Sequence, residues 1–120
     1  MAYLLMVVEP RGQRAERPTA DARVLYDKMV AFKDQLQREG VLLRAESLRP
    51  DEHAVRVKTR TADNMQQLLD GPFAEAKEMI GGFFLIDVAT RDEAVAIARR
   101  CPAVQWASVE VRECAPCYVN

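Results

Sequence analysis

The residues with the most chemical potential are carboxylates placed at turns and on apolar strands. Asp70 stands directly before Gly71-Pro72-Phe73. A carboxylate there can accept backbone N–H bonds and lock the turn, or act as a general base or ligand anchor beside a cleft. Asp70 is thus the candidate catalytic residue. Lys77 and Glu78 follow at helical offset and are candidate ligand contacts, an ammonium turned inward being able to hold an anion. Asp87 shares strand parity with Phe83 and Leu85, so it lies either at the wet end of a strand or on an apolar face with a raised pKa. Glu46 and Glu9 pose the same alternative. His53, the single histidine, sits in the polar turn Pro50-Asp51-Glu52-His53, a solvated position that is poor for a buried base but open to a ligand.

The cysteines carry less. Cys101, Cys114 and Cys117 make an odd count, which argues against a disulfide framework. Cys114-Ala115-Pro116-Cys117 is a lone CxxC with no helix signal after it, unlike a redox motif. A zinc site wants about four ligands, and only Cys101 and His53 stand beside the pair. No metal site is expected, and no cofactor motif is visible: a phosphate loop, an HExxH pair and a serine nucleophile elbow are all missing.

Composition excludes several classes of function. The 120 residues suit one domain, with the boundary expected at 1–113 and a tail over 114–120. There are 17 basic and 18 acidic residues, a formal net charge of -1, so the basic excess of a nucleic-acid binder is missing. The longest apolar stretch, Ala2 to Val8, is far short of the ~20 residues of a membrane span and lacks the flanks of a signal peptide. A cytoplasmic location is expected, with neither nucleic acid nor membrane as partner.

The elements that must position these residues can be read from periodicity. Ala2–Val8 and Phe83–Val88 read as strands apolar on both faces. Ala22, Leu25, Met29, Phe32 and Leu36 form one stripe of a helix that begins with Thr19 as its cap and ends at Gly40. Val41–Leu48 is a second strand. Ala54–Thr61 alternates, so one buried and one wet face are expected, at the sheet periphery. Asp63-Asn64 turns into a short arm, Met65–Leu69. Ala74–Ile80 is expected as a short helical connection ending at Gly81-Gly82. Thr90-x-x-Glu93 is a capping box opening a helix with Ala94, Ile97, Ala98 and Cys101 on one side; Pro102 stops it. Trp106–Arg112 is the last strand.

Without the arm the order is βαββαβ, which predicts an α+β, ferredoxin-like subunit with an extra hairpin and both helices on one sheet face. Its two central strands are then the two that are apolar on both sides. Helices cover only one face, so the other leaves apolar side chains bare, either Tyr3, Leu5, Val7, Phe83 and Leu85 or the opposite set. Such a patch is normally covered by a partner, and a second copy is the simplest cover. A homodimer with sheets face to face is expected.

The run Asp70-Gly71-Pro72-Phe73-Ala74-Glu75-Ala76-Lys77-Glu78, with Gly81-Gly82-Phe83-Phe84-Leu85-Ile86-Asp87-Val88 after it, resembles the DGPF signature of the YCII-related family. Asp92-Glu93-Ala94, Cys101-Pro102-Ala103, Val109-Glu110-Val111-Arg112 and Tyr3-Leu4-Leu5-Met6 extend the likeness over nearly the whole chain. The resemblance implies a dimeric α/β-barrel assembly, similar in fold to muconolactone isomerase and small monooxygenases. It implies either a small-molecule or enzyme-like pocket, of isomerase or lyase type, between sheet faces, or a non-catalytic regulatory protein associated with an extracytoplasmic-function sigma factor. Fold analogy does not choose between them. Arg60 to Asn64 departs from the Asp-Gly hairpin turn usual in the family, and the CxxC tail is particular to this chain.

Overall fold

In the computed structural model, which describes residues 1–120, strand β1 runs over Ala2–Pro10 and is followed by a single helical turn, α1, at Gln13–Glu16. Helix α2 spans Thr19–Arg38. Strand β2 is Leu42–Ser47, β3 is Val55–Thr59, β4 is Gln66–Asp70 and β5 is Glu78–Asp87. Helix α3 at Arg91–Arg100 and strand β6 at Ser108–Glu113 complete the order. The main sheet is β2-β5-β1-β6, antiparallel throughout, with the expected strands β1 and β5 at its centre. Removing the β3–β4 hairpin leaves the ferredoxin-like βαββαβ order.

The helix boundaries follow local chemistry. Thr19 is not the cap of α2: it is already helical, and the Pro18 carbonyl accepts the first bond, from Ala22 N–H at 2.9 Å. At the far end Gly40 adopts φ +75°, Val41 N–H reaches the Leu36 carbonyl and Gly40 N–H the Gln37 carbonyl, a Schellman arrangement. Thr90 accepts a bond from Glu93 N–H at 3.2 Å, and the Glu93 carboxylate answers to Ala89 N–H at 3.1 Å.

Cross-strand register decides which apolar set faces the helices. Leu5 pairs with Phe84 and Tyr3 with Ile86, and these four side chains are buried against Phe32 and Leu36 of α2 and Ala94, Ile97 and Ala98 of α3. Leu4 pairs with Leu85 and Met6 with Phe83 on the opposite face, where no element of the chain lies over them and they stay half-buried. Neither set expected from the sequence holds as a whole: the outward face joins Leu4 and Met6 of β1 to Phe83 and Leu85 of β5, because the antiparallel register sets even positions of β1 opposite odd positions of β5, while Tyr3, Leu5 and Val7 face the helices. Ion pairs Arg44–Glu46 at 2.6 Å and Arg112–Glu110 flank this apolar centre on the two outer strands. The molecule measures 51 × 42 × 18 Å, the thickness of one sheet and one helix layer.

Three expectations are corrected here. Ala74–Ile80 is not helical: β5 already begins at Glu78, and Gly81-Gly82 does not end an element but carries a bulge. Val7 pairs with Gly82 and Val8 with Ile80, so Gly81 is the extra residue. A Cβ on Gly81 would come 2.7 Å from the Glu9 carboxyl carbon, and one on Gly82 would come 2.9 Å from the Glu46 carbonyl. Second, β3 is not a peripheral strand of the main sheet with one buried face. It pairs with β4 alone, and Val55 and Val57 are 54% and 59% exposed. The hairpin turn closes through Arg60 and Met65, with Asn64 at φ 57°. The last strand starts at Ser108 rather than Trp106, because a 3-10 turn over Pro102–Gln105 takes up the residues after α3.

Candidate functional site

Two clefts open at the end of the sheet where β1 stops and β5 starts, one on each side. The first lies on the bare-face side, has a volume of about 620 Å³, and is floored by Val8, Met79 and Ile80. Its polar wall is a knot around Asp51. Arg11 grips the Asp51 carboxylate through both terminal nitrogens, Nη1 at 2.7 Å, and its Nε donates to the Ala76 carbonyl at 2.6 Å. Phe73 N–H donates to the same carboxylate at 3.1 Å. The Arg11 bonds first, and then the Phe73 N–H, hold the Asp51 carboxyl down at about 2, against the opposing effect of burial. Three separate segments are thereby tied: the end of β1, the turn at 50–54, and the loop at 70–77. A side chain on Gly71 would strike the Asp51 carbonyl, so this turn admits only glycine.

Around that knot stand the groups free to meet a ligand. His53 is exposed, with its Nε2 3.4 Å from Arg49 Nη2, and Glu78 is exposed and lines the same cleft. Arg56 lies 3.7 Å above the Phe73 ring and pairs with Glu75 at 3.0 Å. Two proton-transfer groups, His53 and Glu78, and one cation without a carboxylate partner, Arg49, thus face a cleft with an apolar floor.

Of the residues singled out from sequence, His53 and Glu78 are brought together here. Asp70 is exposed at the end of β4, opposite Val55 and one residue from the cleft-lining Ala54. The N–H of its turn goes to Asp51 instead, so turn-locking belongs to Asp51. Lys77 is exposed, and only its backbone carbonyl is engaged, by Arg11 N–H at 2.9 Å. Asp87 is at the wet end of β5, 3.0 Å from the Met1 ammonium. Glu46 pairs with Arg44 and borders the other cleft. Asp51 and Arg11 were not singled out. Nothing in the spacing of Pro50-Asp51-Glu52-His53 separates Asp51 from its neighbours, and its partner lies 40 residues away.

The second cleft, about 630 Å³, lies between the sheet and α2 and contains Glu9, which is 4% exposed. Glu9 follows the bulge and turns toward the helix layer. Burial pushes its carboxyl up, against the pull of Arg14, whose Nε is 2.6 Å from Oε1. Arg14 thus pairs with Glu9 through Nε, and its terminal nitrogens donate to the Leu48 and Gly81 carbonyls, at 2.7 and 3.0 Å. Cys101 is buried in the core, which pushes its thiol up, while Cys114 and Cys117 are exposed on the tail.

No helix is long and apolar enough to cross a membrane. A YCII-related domain model matches residues 1–117. The chain is also similar to an uncharacterized protein of Rhizobium meliloti, 37% identical over 79 residues, which is 66% of this chain and 61% of that protein. It therefore spans about three fifths of that relative's length. The chain belongs to the YCII-related family.

Proposed function

We propose that this YCII-related protein is a cytoplasmic homodimer whose two sheets pack face to face, and that each subunit holds a small molecule in the cleft beside Asp51. The observation carrying this reading is continuity: the bare apolar face of Leu4, Met6, Phe83 and Leu85 runs into the cleft floor at Val8 and Ile80. A second copy laid on that face would roof the cleft as well as dry the patch. The charged pairs on β2 and β6 would form the rim.

Within the roofed cleft the Arg11–Asp51 knot is scaffold, since all its strong donors and acceptors are committed. His53 and Glu78 are the groups for proton transfer, and Arg49 the cation for an anionic substituent. Asp70, at the border, is retained as a base only if the roof draws it inward. Isomerase- or lyase-type chemistry needs no more than such groups. A regulatory dimer without catalysis, acting with a sigma factor, would need the same interface but no ligand.

A thermal-shift screen over small metabolites separates the two. The enzyme-like reading expects stabilisation by one chemical class, lost in His53→Ala and Glu78→Gln, both surface substitutions that leave the fold intact. No stabilising compound in a broad panel, or stabilisation untouched by both variants, would remove the ligand from this cleft.

A further inference from the structure

The β3–β4 hairpin is an arm that its own chain leaves half uncovered. It pairs with no strand of the main sheet. A two-stranded ribbon is marginal in water unless one of its faces is packed. Antiparallel register sorts its side chains into two faces. One carries Arg56, Lys58, Gln67 and Leu69 and is tied to the chain's own loop, where Arg56 lies over the Phe73 ring and pairs with Glu75. The other carries Val55, Val57 and Leu68. Val57 stands directly opposite Leu68, which is 69% exposed, and both valines are more than half exposed.

The shape of the subunit leaves this face without a cover. Sheet and helices use up the 18 Å thickness, and a third layer would add about 10 Å. The arm thus lies beside the sheet and over neither of its faces. The radius of gyration is 16.5 Å, against about 14 Å for a self-contained domain of this length. At its base the arm is fixed by Gly71 N–H to the Ala54 carbonyl at 2.8 Å and by the Arg11–Asp51 knot, so it is held out rather than free to swing.

Interface size points to the occupant. The bare face of the main sheet presents about a dozen outward side chains from its four strands. A stable protein interface takes roughly 20–30 residues from each side, so that face alone supplies about half. The arm continues it: the cleft floored by Val8 and Ile80 is lined next by Ala54 and Arg56 at the arm's base.

We infer that the β3–β4 arm reaches onto a second copy of this chain, with Val55, Val57 and Leu68 packed against the partner subunit. The inference rests on the face-to-face dimer proposed above and enlarges its interface. Sedimentation equilibrium and hydrogen exchange test it together. Val57→Lys and Leu68→Lys, both at exposed positions of the single chain, should each weaken self-association roughly tenfold or more. Lys58→Ala, on the arm's other face, should leave it unchanged. In Met6→Lys, which separates the subunits, the inter-strand amides of 55–59 and 66–70 should lose the protection they have in the dimer, while those of β1 and β5 keep theirs. A wild-type dimer whose association is unaltered by both Val57→Lys and Leu68→Lys, or arm amides equally protected in dimer and single chain, would overturn the arm contact and leave the face-to-face dimer standing. Association lost in Leu68→Lys but kept in Met6→Lys would retain the arm and remove the face-to-face packing. A wild type that is already a single chain would overturn both.

Discussion

Asp51 and Glu9 each face an arginine, and the balance of burial against bonding sends them in opposite directions. For Asp51 the bonds win, and its carboxyl falls from the ordinary 3.8 to about 2. A depressed folded value means stability that is present above the ordinary value and is lost as pH falls from about 4 toward 2. Asp51→Asn is therefore expected to lower the Tm by several degrees at neutral pH and to flatten the acid limb of the stability curve. An acid limb identical to the wild type would show that the knot contributes nothing. For Glu9 burial wins and the folded value is raised. Its contribution is fully present below the ordinary carboxyl value and is lost as pH rises through the folded one. Arg14→Ala leaves that carboxylate buried without a counter-charge, at a cost of about 3 kcal/mol. Chemical denaturation at neutral pH should show the loss, and adding Glu9→Gln should restore part of it. A double variant no more stable than Arg14→Ala would contradict the pairing.

At the scale of elements, periodic signals were legible and long-range ones were not. The stripe of Ala94, Ile97, Ala98 and Cys101 is buried as its spacing implies, because an amphipathic helix has one way to hide it. The glycine end of α2 and the capping box of α3 are local chemistry and could be read residue by residue. Gly81-Gly82 misled, since the same dipeptide ends a helix or bulges a strand, and only its pairing with Val7 and Val8 decides. Alternation in Val55–Thr59 misled likewise, because a hairpin arm off the sheet alternates as an edge strand does. Of the candidate site, His53 and Glu78 were found by type, whereas Asp51 and Arg11 are defined by a contact across 40 residues that no local pattern carries. The core itself rests on α2 near its C-terminal end. Leu36 is fully buried there, so Leu36→Ala should cost about 3 kcal/mol in urea unfolding. A loss below about 1 kcal/mol would mean that α2 is not docked as described.

For the whole molecule, the ferredoxin-like order follows from which strands are apolar on both sides, and the same fact leaves one face without a cover. In an 18 Å slab of two layers, Leu4, Met6, Phe83 and Leu85 have no third layer of their own chain. The proposed site between faces depends on that third layer being another copy. Sedimentation equilibrium at micromolar concentration tests this directly. The account predicts a species of twice the 13.6 kDa chain mass, returned to single chains by Met6→Lys. A stable single chain of 13.6 kDa in the wild type would contradict it, and the roofed cleft with it.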